Sequence, residues 1–145
     1  MGEGMSSEFA NLLRERKLLR VKVKRGMVVK EVEGAQADLR DAEDSLRRRK
    51  FKWATIQAYY SMFHSARGLL YHRGYREKSH HALLVALREL FANELGRGVI
   101  ARFEQGKDLR QEADYGLKFS KTGAAETIQG AKELLVKAKE ILKAD

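Results

Sequence analysis

The chain has 145 residues, 34% of them charged, with a net charge of +9 and an isoelectric point near 9.9. That length suits a single domain, which can bury roughly 68–70% of its unfolded surface without covalent staples. The absence of cysteine excludes disulfides and thiolate metal sites. No apolar run is long enough to span a bilayer and no signal peptide opens the sequence, so no membrane partner and a cytoplasmic location are expected.

Residues 1–52 carry 14 basic and 9 acidic side chains, and residues 53–145 carry 15 and 11. The positive excess is therefore spread along the chain. Two readings fit it: an anionic partner such as nucleic acid or a nucleotide, or a generally basic surface. The apolar residues are mainly Leu, Ala and Val set among Lys, Arg and Glu, and proline is absent, a composition that favours helices.

A first helix is expected after Ser6 or Ser7 as N-cap, with Phe9, Leu12, Leu13 and Leu19 on its apolar side. Arg20 to Arg25 reads as a basic connector ending at Gly26, although its alternation also fits a short strand. Residues 1–26 thus form a basic N-terminal helix and connector, and 27–145 a bundle. The second helix, about Met27 to Arg49, has a heptad-like stripe of Val28, Val32, Ala35, Leu39, Ala42 and Leu46.

The third helix, roughly Trp53 to Gly74, places Trp53, Ile56, Tyr60, Phe63 and Leu70 on one face. A second stripe of Ala54, Ala58, Ser61, Ser65 and Gly68 is uniformly small, so a neighbouring helix can approach closely. Few positions remain for water, which marks this helix as the central one. Ser79 is a suitable N-cap for a fourth helix ending near Gly96. Val99 to about Tyr115 forms a fifth helix, or two pieces broken at Gly106. Leu117 to Gly123 is a loop, and Ala124 to Lys143 the last helix. The expected fold class is all-α: an up-and-down bundle of five to six helices with a four-helix core.

Three motifs carry a family resemblance. They are Ala58 to Arg67 (AYYSMFHSAR) with Gly74 after it, Lys78-Ser-His-His81, and Leu109 to Tyr115 (LRQEADY). Occurring in this order, they resemble the HEPN domain (higher eukaryotes and prokaryotes nucleotide-binding). The resemblance spans about Asp38 to Leu142. It implies a helical bundle, a homodimer, and pairing with a minimal nucleotidyltransferase in a two-component system of toxin–antitoxin type.

Some members of that family are metal-independent ribonucleases with an Arg followed four to six residues later by a His. An Arg can hold the scissile phosphate and a His can move the proton of the RNA 2′-hydroxyl. Here the arginine is Arg110, but the histidine position holds Tyr115, whose ordinary pKa of about 10 makes it a poor base. Two literal matches of the spacing occur elsewhere, Arg67 with His72 and Arg73 with His80. On a helix, residues five apart differ by about 140° in direction, so Arg67 and His72 are favoured as a polar edge rather than a catalytic pair.

Candidate nucleotide- or anion-binding residues are Lys78, Ser79, His80 and His81 at a helix start, together with His64, Arg110 and Tyr115. Ordinary capping by Ser79 fits the first group equally well. His64 reads as a satisfied histidine at the bundle edge, or as a contact to a base. Arg47 to Lys52 either tracks a phosphate backbone or decorates a helix C-terminus. Asp114 is expected to act as a structural clamp, pairing with Arg110 at helical spacing or with an arginine on another helix. No metal site and no cofactor are expected. The functional expectation is a nucleotide- or RNA-binding module. The alternatives are a ribonuclease toxin using Arg67, His72, His80 or Arg110, and a structural homodimer or scaffold.

Overall fold

The computed structural model describes residues 5–144. Its elements run α1 (Ser7–Arg14), β1 (Leu18–Arg20), α2 (Arg25–Arg47), α3 (Phe51–His72), β2 (Tyr75–Glu77), α4 (His80–Leu95), α5 (Arg97–Tyr115) and α6 (Lys121–Ala144). The fold is the expected all-helical bundle, with one short antiparallel ribbon added. Among the described residues no helix is long and apolar enough to cross a membrane.

α3 touches α2, α4, α5, α6 and β2, and so holds the centre. Its small stripe faces α2. The Ser61 hydroxyl donates to the Ala35 carbonyl at 2.8 Å, and a Cβ added at Gly68 would stand 3.4 Å from Glu31 Cβ. The Ser45 hydroxyl meets the Gln57 amide at 2.7 Å near the other end, so α2 and α3 run antiparallel. On its opposite side Met62 fills the space between two helices that carry glycine there, Gly106 of α5 and Gly130 of α6. The four-helix core is thus α2, α3, α5 and α6, and α4 closes it over Leu83, Leu87, Phe91 and Leu95, all buried.

Several expectations change. α1 stops at Arg14, and Leu19 lies in a strand rather than on a helix. The strand lies just before the alternating segment and shares only Arg20 with it: β1 pairs with β2 in the register Leu18↔Glu77, Leu19↔Arg76 and Arg20↔Tyr75. Gly26 lies in the first turn of α2 instead of ending the connector. Phe9, Leu12 and Leu18 enter the main core, so the N-terminal segment docks on the bundle. Trp53 is 51% exposed, with the Lys52 ammonium 5.0 Å from its ring. It stands in the first turn of α3, where periodicity predicts a face but no element reaches to cover it. Gly106 breaks nothing: it is buried inside a continuous α5 because Met62 requires the room.

Candidate functional site

The site grows from one turn of α3. Tyr59 is fully buried, and its ring stacks on Phe103 of α5 at 5.8 Å. Its hydroxyl reaches His80 Nδ1, 2.5 Å away at the start of α4. The His80 ring also lies 4.9 Å from Phe63. Burial, with Arg110 and Lys107 adding repulsion, lowers the His80 pKa, so the imidazole is neutral at physiological pH. Burial likewise raises the Tyr59 pKa, and the phenol keeps its proton. Nδ1 is committed to Tyr59 whichever atom carries the shared proton, which leaves Nε2 as the free ring nitrogen.

Two arginines flank this cluster. Arg110 donates to the Tyr60 hydroxyl at 2.8 Å and pairs with Asp114 at 3.4 Å, so the expected clamp forms. The Tyr115 ring, 75% exposed, lies 5.6 Å from the Arg110 guanidinium. Arg67 covers Phe63 at 4.4 Å and donates both Nε and Nη2 to Glu77 Oε2, at 3.1 and 2.6 Å. Glu77 is buried, and among the described residues its Oε1 has no hydrogen-bond partner.

A cavity of about 350 Å³ opens beside this pair, lined by Phe63, Arg67, Arg76, Glu77, Lys78, Ser79 and His80. Ser79 caps α4, its hydroxyl accepting from the Ala82 amide at 3.0 Å. The first two amides of the helix, those of His80 and His81, have no intrahelical acceptor by construction. Arg76 and Lys78 are exposed at the rim. The cavity therefore offers a helix N-terminus and several cationic groups to an anion.

The predicted residues separate into groups. Arg67, Lys78, Ser79 and His80 meet at the cavity, and Arg110 stands behind it on Tyr59 and Tyr60. His81 turns the other way, toward Glu8 of α1 at 3.0 Å. His72 closes α3 and does not line the cavity, whereas Arg67 lines it and is held there by Glu77. The Arg73–His80 match is also split, since Arg73 donates to the Leu90 carbonyl at 3.0 Å and covers Phe91. In the basic run, Arg47 and Arg48 both pair with Asp44 on the surface, contacts of little energetic weight. Arg76 and Glu77 were missed by the sequence reading. Their only local signal is charge immediately before a capping serine.

His64 is the expected satisfied histidine at the bundle edge. Its Nδ1 meets Glu31 at 2.9 Å and its Nε2 lies 3.5 Å from Asp38. The bond to Glu31 raises its pKa against the opposing effect of burial. The two histidines then act in opposite directions on stability. His64, with a raised folded pKa, stabilises fully below about 6.5, and this is lost as pH rises through the folded value. His80, with a lowered folded pKa, has its contribution above about 6.5 and loses it as pH falls. His64→Gln should therefore make Tm rise with pH between roughly 5 and 8 relative to the wild type, and His80→Gln should make it fall. Parallel Tm profiles for all three proteins would reject the assignment.

Comparison with known proteins agrees with this architecture. A family profile for the HEPN domain matches residues 29–144. The chain belongs to the HEPN domain family. A UPF0332 protein of Archaeoglobus fulgidus is 29% identical over 109 residues, covering 72% of this chain and 86% of that one. The crystal structure of TT1696 from Thermus thermophilus shares the fold with a TM-score of 0.68 at 20% identity, over 78% of this chain and 96% of that one. The HEPN match starts inside α2, so α1 and β1, which cover the outer side of β2 and α4, lie before it.

Proposed function

We propose that this HEPN chain is a cytoplasmic module that binds the phosphates of a nucleotide or of RNA at the start of α4 without cleaving them. It would act as a homodimer beside a minimal nucleotidyltransferase in a two-component system. The observation that carries this reading is the cavity at the α4 N-terminus, where Arg76 and Lys78 form an exposed cationic rim and the single acidic side chain in the lining is buried against Arg67. Two features support binding over cleavage. Arg110 is occupied by Tyr60 and Asp114, and Tyr115 stands where ribonucleases of the family carry histidine.

A salt titration tests this. Fluorescence anisotropy on a labelled RNA hexamer between about 50 and 200 mM salt should show affinity falling linearly on a log–log plot. Arg76→Ala and Lys78→Ala should each lessen the slope by about 0.7, the value for one phosphate contact on a single strand. Binding that ignores salt, or slopes unchanged in both variants, would remove the reading.

One observation favours a ribonuclease instead. His80 is neutral, keeps Nε2 free, and shares its cavity with Arg67. RNA cleavage in EDTA that is lost in His80→Ala and kept in His72→Ala would establish that alternative and displace the binding-only reading.

A further inference from the structure

Phosphate binding leaves one part of this cavity unused. Glu77 has a side chain only 4% exposed, and Arg67 gives both of its hydrogen bonds to Oε2. Oε1 is buried too and accepts nothing. A buried acceptor without a donor is unfavourable, so a partner that supplies one gains from it. Such a partner cannot be a phosphate oxygen, which the carboxylate repels. It has to bring an N–H or O–H donor, and on a nucleotide's ribose-phosphate that donor is a sugar hydroxyl.

The walls narrow the choice. At about 350 Å³ the cavity is at the small end of ligand sites. The Phe63 ring is already covered by Arg67 at 4.4 Å and by His80 at 4.9 Å. No open aromatic face is left there for a base to stack on. What fits beside a phosphate is the sugar that carries it. Glu77 lines the same cavity as Ser79 and His80, the cap and first residue of α4, so it shares that space with the turn that faces the phosphate. Carboxylates are effective acceptors for ribose hydroxyls. Arg67 grips Oε2, while Oε1 is left for a charge-assisted bond.

We infer that Glu77 accepts the 2′-hydroxyl of a ribonucleotide unit whose phosphate rests on the first turn of α4, so that the cavity selects RNA over DNA by its sugar. The inference rests on the nucleotide-binding reading above. No covalent bond changes: the hydroxyl donates its hydrogen to Oε1 and keeps its oxygen. Arg76, next to Glu77 in the chain, is exposed and can turn aside to admit the sugar while Arg67 holds Oε2.

The test uses the full chain and three fluorescein-labelled probes: hexauridylate, hexadeoxyuridylate and 2′-O-methyl hexauridylate. They differ only at the 2′ position, and the methylated probe keeps the oxygen without the donor. Hexauridylate should bind the wild type about tenfold or more tighter than either of the others, the worth of one hydrogen bond to a charged acceptor. Glu77→Gln should bring the three within roughly threefold, with a melting curve confirming that the variant is folded. Equal binding of all three by the wild type would overturn the sugar assignment while leaving phosphate binding in place. Unchanged selectivity in a folded Glu77→Gln protein would overturn the role of Glu77. Failure of every probe to bind in a salt-dependent way would overturn the nucleotide reading itself.

Discussion

Arg67→Met is expected to lower stability by about 2–3 kcal/mol, read as a fall of roughly 6–10 °C in Tm. The methionine keeps much of the arginine's length over Phe63, so the loss arises at Glu77. That carboxylate is buried, Oε2 takes both Arg67 bonds, and Oε1 has no partner, so without Arg67 a charge stands in the interior uncompensated. Breaking a fully buried pair costs about 3–5 kcal/mol. The Arg67 side chain is 28% exposed, and water screens part of the interaction, which brings the figure down. Adding Glu77→Gln to Arg67→Met removes the orphaned charge and should recover at least half of the loss. Thermal denaturation of both single variants and the double variant measures the coupling. A Tm for Arg67→Met within about 2 °C of the wild type would show that the pair has no structural role.

The second large effect is expected at Met62. Met62→Ala should cost about 3–5 kcal/mol in urea denaturation, the upper part of the range for such truncations. The reason lies in what surrounds the side chain. Its terminal methyl fills the space that a Cβ would take at Gly106 and its sulfur lies 3.5 Å from where one would stand at Gly130, so no side chain at those two positions can lean into the void. A Cβ at Gly106 would collide with Met62 Cε and stand 3.6 Å from Thr127. Gly106→Ala in the wild type therefore sets a helix-propensity gain of about 1 kcal/mol against displacement of the methionine tip, and the net change is small. In Met62→Ala the same alanine meets no obstacle and should restore about 1 kcal/mol or more. Equal effects of Gly106→Ala in the two backgrounds would mean that the two groups do not share that space.

The organisation of α3 was legible in the sequence because helical periodicity is a local property. Ala54, Ala58, Ser61, Ser65 and Gly68 recur at the spacing of one helix face, and all are buried, Ser61 and Gly68 directly on α2, except that periodicity carried no warning of where the covering ends. Trp53 shows that limit, since it belongs to an apolar face by phase and to solvent by position. Three-residue β1, Leu-Leu-Arg, has no alternation to mark it, and its partner β2 lies more than fifty residues further along. The family resemblance was carried by motifs on α3, α4 and α5, and the profile match over 29–144 agrees with it.

By itself, then, the sequence determined an all-helical bundle around α3 and a helix start capped by Ser79. Those features rest on spacing, capping chemistry and residue identity, all readable within a few turns of chain. Only the tertiary structure decided the direction of each candidate. Successive residues on a helix diverge by about 100°, so His80 enters the aromatic cluster of Tyr59 and Phe63 while His81 meets Glu8. Glu77, one acidic residue in a basic segment, acquires its meaning only when β2 and α3 bring it under Arg67, because burial and the pairing of each oxygen are set by neighbours distant in sequence.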